Sequence, residues 1–343
     1  LLAVLMCLGV FAGNPRNVDG FAQLFQARIF LAGRLWMPPP PELASFGTLQ
    51  MILGPDRWYA QYPPGQALVL AAGLALGAWW VVNPLLAALL VGATYRVARW
   101  CGDGSSARLT ALLACVSPFV VAMAGSEMSH LAAATLGMAA AAAATGTGGR
   151  RPVLAASLAG VALGCMVAFR PLDAAAAAAP VGLIVLLAAP QRLRSGALVT
   201  LGGVLATLPT LWFNARTTGS WHEFGYTALW GPQHSLGFHP VPWGVPLTFT
   251  RAVALTGLDL HQLNTYLFDL PVPILLVAAV GYLSGRRALG PRDAVPVAGA
   301  AALSGLLFFY FHRDVFYGPR FIFSAVPWVL VIVARALVLL RRA

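Results

Sequence analysis

Asp19 follows a short apolar segment, Leu1 to Gly13, and opens the stretch Asp19 to Trp36, so an acid stands where the chain leaves a membrane. A carboxylate at such a mouth can take the proton of an approaching hydroxyl. It could equally serve, with Asn17 beside it, as the cap of a helix beginning there. Ser126-Glu127-Met128-Ser129-His130 sets an acid and an imidazole one helical step apart. That spacing fits hydrogen bonding to a sugar, a share in a metal site or an ordinary helix-end pair, although two ligands are too few to specify Zn²⁺. Arg170 precedes Pro171 and Arg320 follows Pro319, so each guanidinium sits on stiff backbone. The planar fork of arginine can hold two phosphate oxygens. Arg28, Arg57, Arg216, Arg251 and Arg313 are further cations of the same side, and for any of them the alternative is a snorkelling anchor. Asp173 lies three residues after Arg170 in an apolar segment, where an unpaired carboxylate is costly, so it should pair with that arginine and orient it.

More polar groups accompany these. Tyr59-Ala60-Gln61-Tyr62-Pro63-Pro64-Gly65-Gln66 contributes hydroxyls and amides, and His312-Arg313-Asp314 an imidazole beside two charges. Residues 214–265 hold Trp221, His222, Glu223, Tyr226, Trp230, His234, His239 and Trp243, a set suited to stacking on sugar faces or to an aromatic belt at the membrane surface. The irregular spacing of His222, Glu223, His234 and His239 is a weak metal signal. A divalent metal therefore stays open as a cofactor.

The elements that position these groups are membrane helices. A chain of 343 residues that is 59% hydrophobic and 10% charged cannot be a soluble domain. Apolar runs give about ten spans: 1–13, 81–99, 108–125, 128–145, 152–169, 172–189, 197–213, 266–284, 294–311 and 321–340. The fold expected is an all-α polytopic membrane protein forming one domain over 1–343, with a first outer loop at 14–80 and a second at 214–265. Phe21, Phe25, Ile29, Ala32 and Trp36 recur at helical steps, predicting an amphipathic helix lying in the interface. Pro63 to Gly77 is too short to span and is read as a buried half-helix. Thirteen residues are likewise too few for the first span, and Arg341-Arg342-Ala343 ends abruptly, so both ends are expected to be cut.

Charge supports this threading. The basic residues, all arginine, gather at alternate turns (Arg96, Arg99, Arg108, Arg150, Arg151, Arg192, Arg194, Arg286, Arg287, Arg292, Arg341, Arg342), as the positive-inside rule requires of cytoplasmic ends. All histidines, and every acid except Asp103 and Asp293, then fall on the other side. A transporter would place its polar chemistry near the bilayer midplane; here it collects at one face. Cys7, Cys101, Cys115 and Cys165 show no pairing or metal spacing and read as small apolar residues. No internal repeat, phosphate-binding glycine loop or nucleic-acid patch is present.

The first loop resembles that of the GT-C glycosyltransferases, which include the protein O-mannosyltransferases of glycosyltransferase family 39 and the lipid A aminoarabinose transferases. The likeness rests on Asp19 followed by Gln26-Ala27-Arg28, Gly33, the run Pro38 to Pro41 and Tyr59 to Gln66, and extends to Asn214 to Tyr226 and Tyr317 to Pro327. Many members carry a second acid next to the first-loop aspartate, where this chain has Gly20. The resemblance implies sugar transfer from a polyprenyl-phosphate donor to an acceptor hydroxyl, with inversion, at the outer face of a bacterial inner membrane. It implies Asp19 as general base, Arg170, Arg320, Arg313 and Arg28 at the donor phosphate, and Glu127, His130, Tyr62, Gln66 and His312 at the sugar or acceptor. The partners implied are the lipid-linked sugar, membrane lipids and a glycan, lipid or protein acceptor, with no nucleic acid. Two alternatives use the same residues: a non-catalytic protein that binds or flips the lipid carrier, and an O-antigen polymerase or ligase.

Overall fold

A computed structural model describes residues 1–342 of the chain. Helices start where the sequence supplies caps. Asn17 accepts from Gly20 N at 2.7 Å ahead of Val18–Leu31, and Asp103 accepts from Ser106 N at 2.8 Å ahead of Gly104–Val116. Pro118, Pro152 and Pro171 each occupy a first helical turn, where a missing N–H costs nothing.

By length and composition, 5 helices can cross a membrane: Trp79–Cys101, Ser129–Gly148, Pro171–Ala188, Arg192–Thr217 and Arg320–Arg342. A sixth forms if Gly104–Val116 and Pro118–Gly125, bent by 56° at Ser117, count as one. Each of the ten expected segments does contain a helix, but several are short. Phe249–Tyr266 ends before the predicted 266–284 span begins, and Pro271 and Pro273 delay the next helix to Ile274–Ser284. Ten spans are thus met only in part.

The centre of the bundle belongs to Arg320–Arg342 and Ser129–Gly148, whose apolar windows are 72% and 67% buried, against 11% for Arg192–Thr217. The last is a peripheral helix exposing Leu201, Leu205 and Trp212, as a lipid-facing surface does. It is held to Pro152–Val167 by small residues. A Cβ added at Gly160 or Gly164 would lie 2.2 Å from Val199 O or Gly203 O, so only glycine permits that approach.

One end of the bundle is fastened by charge. Arg335 Nε meets Asp293 Oδ1 at 2.9 Å and its Nη1 lies 3.6 Å from Asp103 Oδ2, while Arg342 reaches Asp103 at 2.8 Å. These contacts join the last helix to Gly104–Val116 and to the turn before Ala294–Phe308.

The first loop is more ordered than an all-α reading anticipates. Val18–Leu31 packs on the half-helix Gly65–Ala75, which forms as expected. Between them Met51–Leu53 and Trp58–Ala60 pair antiparallel, Met51 opposite Ala60. Gln26 ties helix to hairpin, accepting from Ala60 N at 3.0 Å and donating to Leu35 O at 2.9 Å. The buried face of Val18–Leu31 is not the apolar stripe. Phe21 is 60% exposed, whereas Asp19, Gln23 and Gln26 are buried together with Ala22, Leu24, Ala27 and Ile29, so this helix turns a mixed face inward.

Candidate active site

A cavity of about 390 Å³ opens where the first loop, the second loop and the ends of Ser129–Ala144, Pro171–Ala188 and Arg320–Arg342 meet. Its wall holds Asp19, Tyr62, His130, Arg170, Asp173 and Arg320 together with the aromatic rings of Tyr226, Trp230, His234, Trp243 and Tyr310.

Asp19 reaches the cavity because it is relieved of capping: Asn17 fills that role, and Asp19 sits in the first turn with its side chain turned inward. Its Oδ1 accepts from the Tyr62 hydroxyl and its Oδ2 from Arg320 Nη1. Burial pushes the Tyr62 hydroxyl well above its ordinary value, so it stays a donor. Arg320 Nε and Nη2 donate to the two oxygens of Asp314, a bidentate fork. The same guanidinium lies 5.2 Å and 5.3 Å from the Phe316 and Phe321 rings, which hold it without taking a hydrogen bond.

A second cation stands across the cavity. Arg170 Nε donates to Asp173 Oδ2 at 2.8 Å, the pair anticipated from the spacing, and Ser324 Oγ donates to the same oxygen at 2.6 Å. Arg170 Nη1 is 2.9 Å from His130 Nε2. Arginine only donates, so His130 Nε2 accepts and the ring proton sits on Nδ1, which is buried without a partner. The remaining wall is aromatic. His234 stacks on Tyr226 at 5.7 Å and 12°, touches Trp243 at 5.7 Å and lies 3.3 Å from the Tyr310 hydroxyl. Burial, with His312 nearby, lowers its proton affinity, so it presents a neutral face.

This architecture has counterparts among solved structures. ArnT from Cupriavidus metallidurans, solved bound to undecaprenyl phosphate, superposes with a TM-score of 0.66 at 13% identity, over 98% of this chain and 58% of that one. Its apo state gives 0.62 at 15% identity, over 97% and 59%. The archaeal oligosaccharyltransferase AglB from Archaeoglobus fulgidus, in complex with an inhibitory peptide and a dolichol-phosphate, gives 0.51 at 13%, over 98% and 49%. The chain has the GT-C fold. It spans less than two thirds of the length of either relative. No family model and no curated protein matches the sequence.

Within this GT-C fold the residues singled out in the sequence separate into two groups. Asp19, Tyr62, His130, Arg170, His312 and Arg320 line one cavity. Arg28, Gln66, Glu127 and Arg313 do not. Arg28 is exposed on the outer side of its helix. Gln66 is fully buried, donating to Asn83 Oδ1 at 3.1 Å. Arg313 spends its donors on Asp259 at 2.7 Å and on the carbonyls of Leu307, Tyr310 and His312, fixing the loop after Ala294–Phe308. Glu127 is outside the cavity lining, and a Cβ added at Gly20 would lie 3.0 Å from its Oε2. Its carboxylate thus sits beside the position where many GT-C enzymes carry a second acid. Asp314, which the sequence could not rank, proves to be the principal partner of Arg320. Among the described residues no three histidines, cysteines or acids stand close enough to hold a metal ion, and His222 and His239 bond only to nearby loop atoms. The described residues do not fit a protein-held metal.

Proposed function

We propose that the chain transfers a sugar from a polyprenyl-phosphate-linked donor to an acceptor hydroxyl, with Asp19 as general base. The observation that carries this reading is one cavity in a GT-C fold walled by a carboxylate, Asp19, and two guanidiniums, Arg170 and Arg320. The undecaprenyl phosphate and dolichol-phosphate bound in ArnT and AglB point to the donor class.

An acceptor hydroxyl is a weak nucleophile until its proton can leave. Asp19 takes that proton as the new glycosidic bond forms, a contribution of about 10²- to 10⁴-fold. The bond from the anomeric carbon to the phosphate oxygen breaks in the same displacement, which inverts the anomeric centre. Negative charge grows on the leaving lipid phosphate. Arg170 and Arg320, fixed in place by Asp173 and Asp314, stabilise it from a preorganised setting. Tyr226, Trp230, His234 and Trp243 offer ring faces to the sugar. Arg313 and Gln66 act at a distance, through the segments they bond. The arginine-rich ends mark the cytoplasmic side, so the cavity opens to the periplasmic or extracellular face of a bacterial inner membrane.

The test is Asp19→Asn, assayed for sugar transfer from polyprenyl-phosphate donors in membranes. Transfer should drop by about 10²-fold or more while the protein stays folded. Undiminished transfer would remove Asp19 as base, whereas no transfer by the wild type would favour a carrier-binding protein, for which this carboxylate is dispensable.

A further inference from the structure

Neither oxygen of Asp19 is free. One is taken by the Tyr62 hydroxyl and the other by Arg320. Each oxygen keeps a second lone pair, but a carboxylate ion-paired to a guanidinium is a weaker base than one released from it. The two contacts of Arg320 are unequal. Asp314 holds Nε and Nη2 with both of its oxygens, whereas Asp19 takes Nη1 alone. Bidentate pairing is the stronger and more directional arrangement. Arg320 is also immobile, with its side chain 8% exposed and ring faces of Phe316 and Phe321 against it. An incoming oxyanion, repelled by the Asp19 carboxylate, therefore finds the single Nη1–Asp19 contact the easier one to displace, and Arg320 and Asp19 both line the cavity.

We propose that Arg320 is a latch on Asp19, opened by the phosphate group of the donor. The inference rests on the function proposed above. Without donor, Arg320 bridges Asp314 and Asp19 and keeps the base occupied. A phosphate oxygen then replaces Asp19 on Nη1, Asp314 keeps its fork, and Asp19, still steered by Tyr62, turns to the acceptor. No covalent bond changes; one charge-assisted hydrogen bond is exchanged for another. Donor binding precedes base release, so the acceptor proton is taken only when a leaving group is in place. The exchange also has an energetic signature, because Asp19 and phosphate compete for the same N–H.

The experiment measures binding of undecaprenyl phosphate, undecaprenol and inorganic phosphate to the full chain in lipid nanodiscs, wild type against Asp19→Asn. Removing the competitor should tighten undecaprenyl phosphate at least about 5-fold although transfer is lost, and leave undecaprenol unchanged. Tightening of inorganic phosphate as well supports a latch that answers to the phosphate group alone; tightening confined to undecaprenyl phosphate supports one that needs the lipid-linked group. Unchanged or weaker binding of undecaprenyl phosphate to Asp19→Asn, with wild type binding it normally, overturns the latch and leaves the proposed function standing. Wild type that binds undecaprenyl phosphate no better than undecaprenol overturns the donor reading itself. A structure of the wild-type chain with undecaprenyl phosphate decides the matter without a variant. The latch requires phosphate on Arg320 Nη1 and Asp19 off it, and is refuted if the Asp19–Arg320 pair persists beside bound phosphate.

Discussion

The Arg320–Arg342 helix carries an arginine–aspartate cluster at each end, and the two do different work. At one end Arg335 joins Asp293 and Asp103, with side chains of Arg335 and Asp293 only 11% and 7% exposed. At the other Arg320 joins Asp19 and Asp314. The residue types, the burial and the sharing of one guanidinium between two acids are alike. The difference lies in what borders them. Arg335 is closed over by the helix ends and turns it connects, and its Nη2 donates to Ala288 O at 3.3 Å. Arg320 and Asp19 face a cavity, with an aromatic wall opposite. An ion pair is a fastener when every donor ends on protein, and becomes chemistry when one of its contacts can be traded for a substrate's.

The largest effect should come from Asp19→Asn, with transfer down about 10²- to 10⁴-fold and the thermal midpoint held. A variant that loses stability and activity together would make Asp19 a fastener like Asp293 and erase the contrast between the ends.

Arg335→Ala is the mirror experiment. It leaves Asp293 buried without its cation, which costs about 3 kcal/mol or more. The expected result is a lower thermal midpoint in detergent with unchanged affinity of the folded fraction for undecaprenyl phosphate. If affinity falls and the midpoint does not, the inner cluster is not a clasp.

Arg320→Ala removes one of two phosphate partners and should weaken undecaprenyl phosphate about 10- to 100-fold, since hydrogen bonds to charged groups contribute about 1.5–3 kcal/mol. Titration of lipid in nanodiscs reads this directly. Equal loss of binding to undecaprenol would mean that the cavity had collapsed and that the cation itself recognises nothing.

The two ends also differ in how far sequence could describe them. The Arg170–Asp173 pair could be read directly because both partners lie on one helical turn, and an apolar surrounding demands a partner. Asp19 and Arg320 are 301 residues apart, so residue type and neighbours could single out each of them, but nothing in spacing joined them. In His312-Arg313-Asp314 three ionisable residues adjoin, yet the arginine turns to Asp259 and the aspartate to Arg320, a division that depends on packing alone. The stripe from Phe21 to Trp36 predicted the helix but misjudged its buried face, because hydrophobic periodicity assumes an apolar interior. Here Gln23, Gln26 and Asp19 are buried on the same helix as Leu24 and Ile29. The short hairpin went unseen since strands of three residues are too brief for alternation to show. Span count suffered from prolines and glycines that break helices without breaking an apolar run.

Glu127 completes the comparison as a buried acid with no guanidinium. One of its oxygens has no hydrogen-bond partner, and burial pushes its carboxyl from 4.5 up to about 7. The folded chain then holds a proton that the unfolded chain releases above pH 4.5. The stabilisation is whole below 4.5 and is lost as the pH rises through about 7. Thermal midpoints of the wild type should fall across that window, by an amount worth about 3 kcal/mol. Glu127→Gln keeps the shape, cannot ionise and should flatten the dependence, matching the wild type in acid and exceeding it above neutrality. The readout is thermal unfolding in detergent at a series of pH values. If Glu127→Gln loses as much stability as the wild type across the window, the titrating group lies elsewhere, and Glu127 is charged and paired in the folded chain after all.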